Sequence, residues 1–270
     1  MPSPASTSAD SDDKILMTGH RRARIVEQVQ REGSMRVADL AARFDVSEVT
    51  IRSDLVILER EGRLLRDRGG AVAKGSHHFV TSLLGVDQRA SLHLDKKRRI
   101  GAAAAQRVSP GDAILIDAGT TAVEIARQLT HVSPLTVVTN ALNVALELGA
   151  AAGQRLIMLG GTFNRESAST VGALTEQSLA ELSVQKLFLG TQAMDADGLT
   201  DSTMEIAQAK RAMIRSARQV ILVTDSSKWG TSSLTKVCPL TEVDTIITDN
   251  ELPADARTQI EALGIELVLV

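Results

Sequence analysis

Hydrophobic positions along the chain follow two different rhythms. Between residues 20 and 62 they recur three and four apart, the spacing of one helix face. Ile25, Val26 and Val29 mark a helix over residues 22–31 that Gly33 stops, and a second short helix runs from Val37 to Phe44. Ile51, Leu55 and Leu58 share one side of a third helix that ends at Gly62. Asp45 and Val46 make the tight turn before it, and Ser47 is placed to cap it by accepting a hydrogen bond from a free backbone N–H. Residues 63–72, RLLRDRGGAV, then form two short strands about a Gly69-Gly70 turn. From Ala113 the rhythm changes. AILID, LTVVT, RLIML, KLFLG, QVILVT, DTIIT and ELVLV are short apolar runs separated by helical stretches. That alternation predicts an α/β domain built on a mostly parallel sheet.

A chain of 270 residues accommodates both parts as separate domains. The expected division is a disordered tail over 1–19, a DNA-binding module over 20–73, a linker over 74–89 and an α/β domain over 90–270. Met1 to Asp13 is rich in Ser, Ala, Pro and Asp without periodicity, and Met17 is an alternative start. Lys74 to Asp87 sustains neither helix nor strand period. His77 and His78 lie there without a ligand cluster, so they read as solvated linker, and neither metal nor cofactor is expected. The single Cys238 has no partner for a disulfide or a zinc cluster and reads as a packing residue. With no apolar run of about 18 residues and no signal peptide, a cytoplasmic protein without a membrane span is expected. Lys96 to Arg99, KKRR, opens a helix to Val108 and reads as a solvated face, a phosphate or DNA contact being the alternative.

Two helices, a tight turn and a capped third helix compose a helix-turn-helix. On the third helix the side opposite the apolar stripe carries Val49 and Ser53, flanked by Thr50 and Arg52. An α-helix fits the major groove with its N-terminal residues at the base edges, so these four, with Ser47, are the predicted contacts to double-stranded operator DNA. Arg66 and Arg68 on the hairpin can meet phosphates or the minor groove, which makes the hairpin a wing. Residues 20–74 hold twelve Lys and Arg against nine Asp and Glu, whereas residues 75–270 hold seventeen against twenty-one. The basic excess therefore lies where DNA would be touched. The competing reading is another small module whose arginines are merely solvated. Paired half-sites call for paired protein, so a homo-oligomer is expected.

In a parallel α/β sheet, ligands bind beyond the carboxyl ends of the strands. Polar and glycine residues gather at those ends: Asp117 to Thr121, Thr139-Asn140, Gly160-Gly161 and Asp225 to Lys228. Gly119 permits close backbone approach, and Thr120 and Thr121 set hydroxyls beside free N–H groups at a helix start, which favours an anion. Lys228 or Lys210 can add a cation, and Asp117, Asn140 and Asp225 can pair with sugar hydroxyls. The chemistry suits a small phosphorylated polyol; taken singly, each stretch is also an ordinary strand-to-helix turn.

SEVTIRSDLVILEREGRLLRDRGGAV resembles the N-terminal domain of the DeoR family of bacterial transcriptional regulators. It departs from the family pattern at Ser53, where a second Arg is usual, and at Arg68, where His is usual. Arg can read guanine bidentately and Ser cannot, so the operator sequence does not transfer from relatives. IDAGTT, VVTNAL, LGG, VGAL, FLG, DGLT, KRAMI, TDSSKWG and IITD are similar, in order, to the DeoR effector domain, and the resemblance covers nearly all of residues 21–249. It implies a domain related to ribose-5-phosphate isomerase and coenzyme A transferases that senses a phosphorylated sugar and relieves repression of a catabolic operon. The matched ligand contacts are Asp117, Gly119, Thr120, Thr121, Asn140, Gly161, Lys210, Asp225 and Lys228, with Lys210 alternatively an exposed helix residue. An isomerase-like activity is the competing reading. The stretch DADGLTDSTMEIAQAK lacks the isomerases' lysine-triglycine run and has Ala209 before Lys210. Asp195, Asp197 and Glu205 remain there as carboxylates and read as loop solvation, so binding without turnover is expected. A DNA-organising scaffold without an effector would leave the polar strand ends without a purpose.

Overall fold

A computed structural model describes residues 9–32, 34–67, 69–73, 78–80 and 85–270. The chain divides into two compact units, residues 1–78 and 79–270.

In the first unit, α1 (Ala9–Glu32), β1 (Ser34–Arg36), α2 (Val37–Phe44), α3 (Glu48–Arg60), β2 (Leu64–Asp67) and β3 (Gly70–Ala73) follow one another. The strands form an antiparallel sheet in the order β1-β3-β2. The apolar stripes meet as predicted: Ile25 and Val29 of α1, Leu40 of α2, and Ile51, Leu55 and Leu58 of α3 are buried in one cluster. Asp45 closes α2 in the left-handed region with φ 51°, the tight turn expected there. The tail expected over 1–19 does not hold over 9–19, which is helical. That segment has no apolar period, but it contains no proline, so it extends the packed helix behind it.

The second unit begins in the short strand His78–Val80 and continues with α4 (Val86–Ser91) and α5 (Leu94–Ala105). The expected linker over 74–89 therefore ends in a helix; residues 74–77 and 81–84, including His77, lie outside the described residues. Seven strands follow: β4 (Ala113–Ile116), β5 (Leu135–Thr139), β6 (Gln154–Met158), β9 (Val184–Leu189), β12 (Ala217–Val223), β14 (Thr245–Thr248) and β15 (Glu266–Leu269). Each corresponds to one of the seven predicted apolar runs. The hairpin β7 (Thr162–Asn164) and β8 (Ser169–Val171) follows β6, and a small sheet of β10 (Ala193–Asp195), β11 (Gly198–Asp201) and β13 (Thr235–Cys238) follows β9. The large sheet has the order β15-β14-β12-β9-β4-β5-β6 and every pairing in it is parallel.

Successive side chains of a strand point to opposite faces. Ile114, Val137, Phe188 and Ile221 accordingly enter one core, with α5, α6 (Thr120–Leu129) and α7 (Leu142–Leu148). Leu115, Val138, Leu187 and Leu222 enter the other, with α8 (Ala173–Ala180), α9 (Met204–Ser216) and α10 (Ala254–Ala262). Burial on both faces explains why these strands read as continuous apolar runs. The first three strands build outward from β4 and the next four build the other way from β9. The order therefore reverses between β4 and β9, the switch point at which such sheets open a crevice. Among the described residues no helix is long and apolar enough to cross a membrane.

Candidate functional site

On the first unit, α3 turns its polar side outward. Val49 is 72% exposed, and Arg52 and Ser53 are exposed beside it. An uncovered valine on this face suits contact with a thymine methyl group. Ser47 Oγ accepts the Thr50 N–H at 3.2 Å and lies 2.9 Å from Thr50 Oγ1, so these two side chains serve the helix cap. Arg52 Nη2 donates to Glu48 Oε2 at 2.6 Å one turn away. Both side chains of that pair are exposed, so it is weak and readily exchanged for a base or phosphate. Arg66 is exposed on β2, its guanidinium 3.6 Å from Glu59, and Arg68 lies outside the described residues. Asp54 escaped the sequence reading. It is 2% exposed on the inner side of α3 and accepts Arg21 Nε at 2.7 Å and Arg22 Nε at 2.8 Å, tying the reader helix to α1.

On the second unit, the carboxyl ends of β6, β5, β4, β9 and β12 stand in a row and carry Gly161, Asn140, Asp117, Gly190 and Asp225. Asp117 and Gly190 flank the switch point: Asp117 Oδ2 accepts the Gly190 N–H at 3.1 Å. Lys210 rises from α9 beneath them and is buried. Its ammonium donates to Gly190 O at 2.8 Å and Asp201 Oδ2 at 2.7 Å, and lies 3.4 Å from Asp117 Oδ2. The alternative of an exposed helix residue at Lys210 is thus excluded. Burial works against the Lys210 charge, yet Asp117 and Asp201 outweigh it and raise its pKa. Complete burial pushes the Asp117 carboxyl above its usual range, with Lys210 pulling it back. Asp201, on β11, was not singled out from the sequence.

Beside this cluster α6 opens at Gly119, whose φ of 145° and ψ of 167° only glycine adopts readily. No side chain caps this helix, and a Cβ at Gly119 would meet nothing within 4 Å. The N–H groups of the first turn, at Thr120 and Thr121, thus lack a side-chain cap and have the positive end of the helix dipole behind them. On the next strand Asn140 is buried; its Nδ2 donates to Thr170 O at 2.9 Å, while Oδ1 has no partner among the described residues. A buried acceptor of this kind is satisfied by a donor such as a ligand hydroxyl.

On the β12 side, Asp225 accepts the Ser227 N–H at 3.2 Å and the Ser227 hydroxyl. Burial opposes its charge, but Lys228 and the Ser227 hydrogen bond hold its carboxyl below the usual range. Lys97 sits here too. Burial pushes its ammonium down to about 8, with Asp225 opposing the shift and Lys228 and Arg89 adding to it. The KKRR run is therefore not one solvated face. Lys97 is buried, and Lys96 pairs with Asp249 at 2.9 Å and Glu251 at 2.8 Å; Arg98 and Arg99 are exposed.

Neighbouring strands stand ~4.8 Å apart, so the ends bearing Asp117 and Asp225 are about 10 Å apart and those bearing Gly161 and Asp225 about 19 Å. One small ligand bridges the first gap and not the second. Gly161 has a different explanation: at φ 144° a Cβ would collide with Thr175 Oγ1 and the Val171 carbonyl. Among the described residues no group of three or more His, Cys, Asp or Glu is arranged to hold a metal ion.

Residues 21–77 match the family described as a DeoR-like helix-turn-helix domain, and residues 92–250 the DeoR C terminal sensor domain. The chain is 37% identical to an uncharacterized HTH-type transcriptional regulator, YulB, of Bacillus subtilis (90% of this chain, 93% of that protein). It is 35% identical to the HTH-type transcriptional regulator GlpR of Haloferax volcanii (94% and 98%). It is 31% identical to the glycerol-3-phosphate regulon repressor of Escherichia coli (91% and 96%). Among solved structures, ribose 5-phosphate isomerase from Methanocaldococcus jannaschii is similar at a TM-score of 0.37 and 15% identity, over 50% of this chain and 54% of that one. With both domains matched in order and relatives spanning almost the whole chain, the protein belongs to the DeoR family of transcriptional regulators.

Proposed function

We propose that the protein is a repressor that holds double-stranded operator DNA through α3 and the wing and leaves it when a phosphorylated sugar, or a derivative of one, occupies the strand-end site. The observation that carries this reading is the juxtaposition at the switch point of an uncapped helix N-terminus with a buried, Lys210-bridged pair of carboxylates. The open turn at Gly119 to Thr121 suits a phosphate, with Lys228 as the nearest half-exposed cation on the β12 side. Asp117 and Asn140 Oδ1, which has no partner among the described residues, suit hydroxyl groups, as does Asp225 two strands along from Asp117. The relative named as a glycerol-3-phosphate regulon repressor supports this ligand class. Ligand acts by binding the two states of the protein unequally, and paired half-sites on DNA imply a homo-oligomer.

Binding without turnover fits the remaining carboxylates. Asp195 Oδ1 accepts the N–H groups of Asp197 at 2.9 Å and Gly198 at 3.2 Å in a turn, and Asp197 and Glu205 are exposed. The test is a thermal-shift screen of glycerol phosphates and hexose phosphates against their unphosphorylated parents, with the same mixtures analysed for product. A shift with phosphorylated members alone and no product is expected. No shift with any member contradicts the site, and product formation turns the reading toward an isomerase.

A further inference from the structure

Helix α4 is the first helix of the second unit, and it is held from two directions. At its C-terminal end Lys97 Nζ, from α5, donates to the carbonyls of Arg89 and Leu92. Along its side Arg89 Nη2 donates to the Glu166 carbonyl at 3.0 Å, in the turn of the β7–β8 hairpin. The Arg89 charge is lowered by burial and supported by Asp201, Asp117 and Glu166, the first two being the carboxylates that Lys210 bridges.

The charge balance of the site explains why an arginine belongs there. Lys210 has three ammonium protons, and Gly190, Asp201 and Asp117 take up their directions. Asp117 and Asp201 share one ammonium, and Arg89 is the further cation whose field reaches both. A neutral backbone carbonyl is a weaker acceptor than a phosphate oxygen, which can engage the planar guanidinium through two parallel hydrogen bonds. An anion in the site thus competes with the Glu166 carbonyl for the same donor.

We infer that Arg89 is an effector-contacting residue that couples the strand-end site to α4: phosphate draws the guanidinium from the Glu166 carbonyl and shifts this first helix of the second unit. This rests on the reading of the strand ends as a phosphate-binding site. Nothing in the chain marked it beforehand, because Arg89 is the last residue of the predicted linker.

The experiment uses the full chain, with inorganic phosphate and the hexose and glycerol phosphates as probes. Hydrogen exchange of the amides of residues 86–91 is measured in the wild type with and without saturating probe, so no substitution is needed for this arm. Labelled operator is then titrated with wild type, Arg89→Ala and Arg89→Lys, with circular dichroism to show that each variant is folded. Expected is a changed exchange rate over 86–91 in the wild type, and release is read for each protein as the ratio of its operator affinities without and with probe. Probe-driven release should fall about tenfold or more in both, since lysine keeps the charge and loses the fork. Unchanged exchange in the wild type, or release from Arg89→Ala at saturation equal to wild type, overturns the inference while leaving the site reading intact. Absence of any thermal shift of the wild type with every probe overturns the site reading as well.

Discussion

Replacing Lys210 with Met keeps an unbranched side chain and removes the ammonium. Its three directions are occupied by Gly190 O at 2.8 Å, Asp201 Oδ2 at 2.7 Å and Asp117 Oδ2 at 3.4 Å. Without it Asp117 and Asp201, each 2% exposed, lose the cation that lies against both. Removing one partner of a buried ion pair costs about 3–5 kcal/mol. At about 1.4 kcal/mol per tenfold, that is two to nearly four orders of magnitude in the unfolding equilibrium. The assay is urea unfolding followed by Trp229, the chain's one tryptophan, which packs against the core of the same unit. The loss also has a pH signature. Burial already holds the folded Asp117 carboxyl above its usual range, and losing Lys210 raises it further. A carboxyl with a raised folded pKa contributes stability below its unfolded pKa and loses that contribution as pH rises through the folded value. The deficit of Lys210→Met is therefore largest at neutral pH and shrinks in acid. Adding Asp117→Asn to Lys210→Met should recover part of it. A Lys210→Met protein within about 1 kcal/mol of wild type at pH 7, with no pH dependence, would refute the reasoning.

Arg52→Ala should abolish sequence-specific operator binding without altering the melting temperature, because Arg52 is exposed and paired only weakly with Glu48; specific binding that survived would mean that α3 is wrongly oriented. Asp54→Ala removes the acceptor of both Arg21 and Arg22 and should destabilise the first unit by about 2–3 kcal/mol in thermal melting, with weaker operator binding. An unchanged melt would contradict the clamp. Gly119→Ala forces a side chain into a φ of 145° and should cost about 1–3 kcal/mol, with loss of the ligand-induced thermal shift. A stable variant that still responds to ligand would sink the role given to this turn.

Much of the architecture was legible because burial leaves a period behind. The seven strands are apolar on both faces, and their runs stood out from the chain; α2 and the Ser47 cap followed from spacing and one hydroxyl. Strand order leaves no such trace, so the convergence of Asp117 and Gly190 at the switch point required the folded chain. The most instructive misses are charged residues that occupy apolar stripe positions. Asp54 lies among the buried Ile51, Leu55 and Leu58 of α3, and Lys97 lies three and four residues before the buried Ile100 and Gly101 of α5. Lys210, which the sequence did single out, falls at the corresponding place among Ile206, Ala209 and Met213 of α9. A charge on the inward face of an amphipathic helix must find a partner or shift its pKa, and all three do one or the other. The same spacing that located the cores would have located these groups. Arg89 had no such marker, and Asp201 stood in a run that reads as loop because β11 is short and partly polar. At Gly161 packing against Thr175 and Val171 is by itself enough to require glycine.

The central claim is that occupancy of the strand-end site controls grip on DNA. The most direct measurement is fluorescence anisotropy of labelled operator, titrated with whichever phosphorylated compound raises the protein's melting temperature, for wild type and Lys228→Ala. Lys228 is half-exposed and makes no ion pair within 4 Å among the described residues, so its loss should leave ligand-free operator affinity unchanged, with only a small loss of stability from the weaker field at Asp225. The account predicts release of wild type from operator at concentrations at which Lys228→Ala stays bound, with about tenfold or more separating the two curves. Coincident release curves, or an operator affinity indifferent to a compound that demonstrably binds, would contradict it.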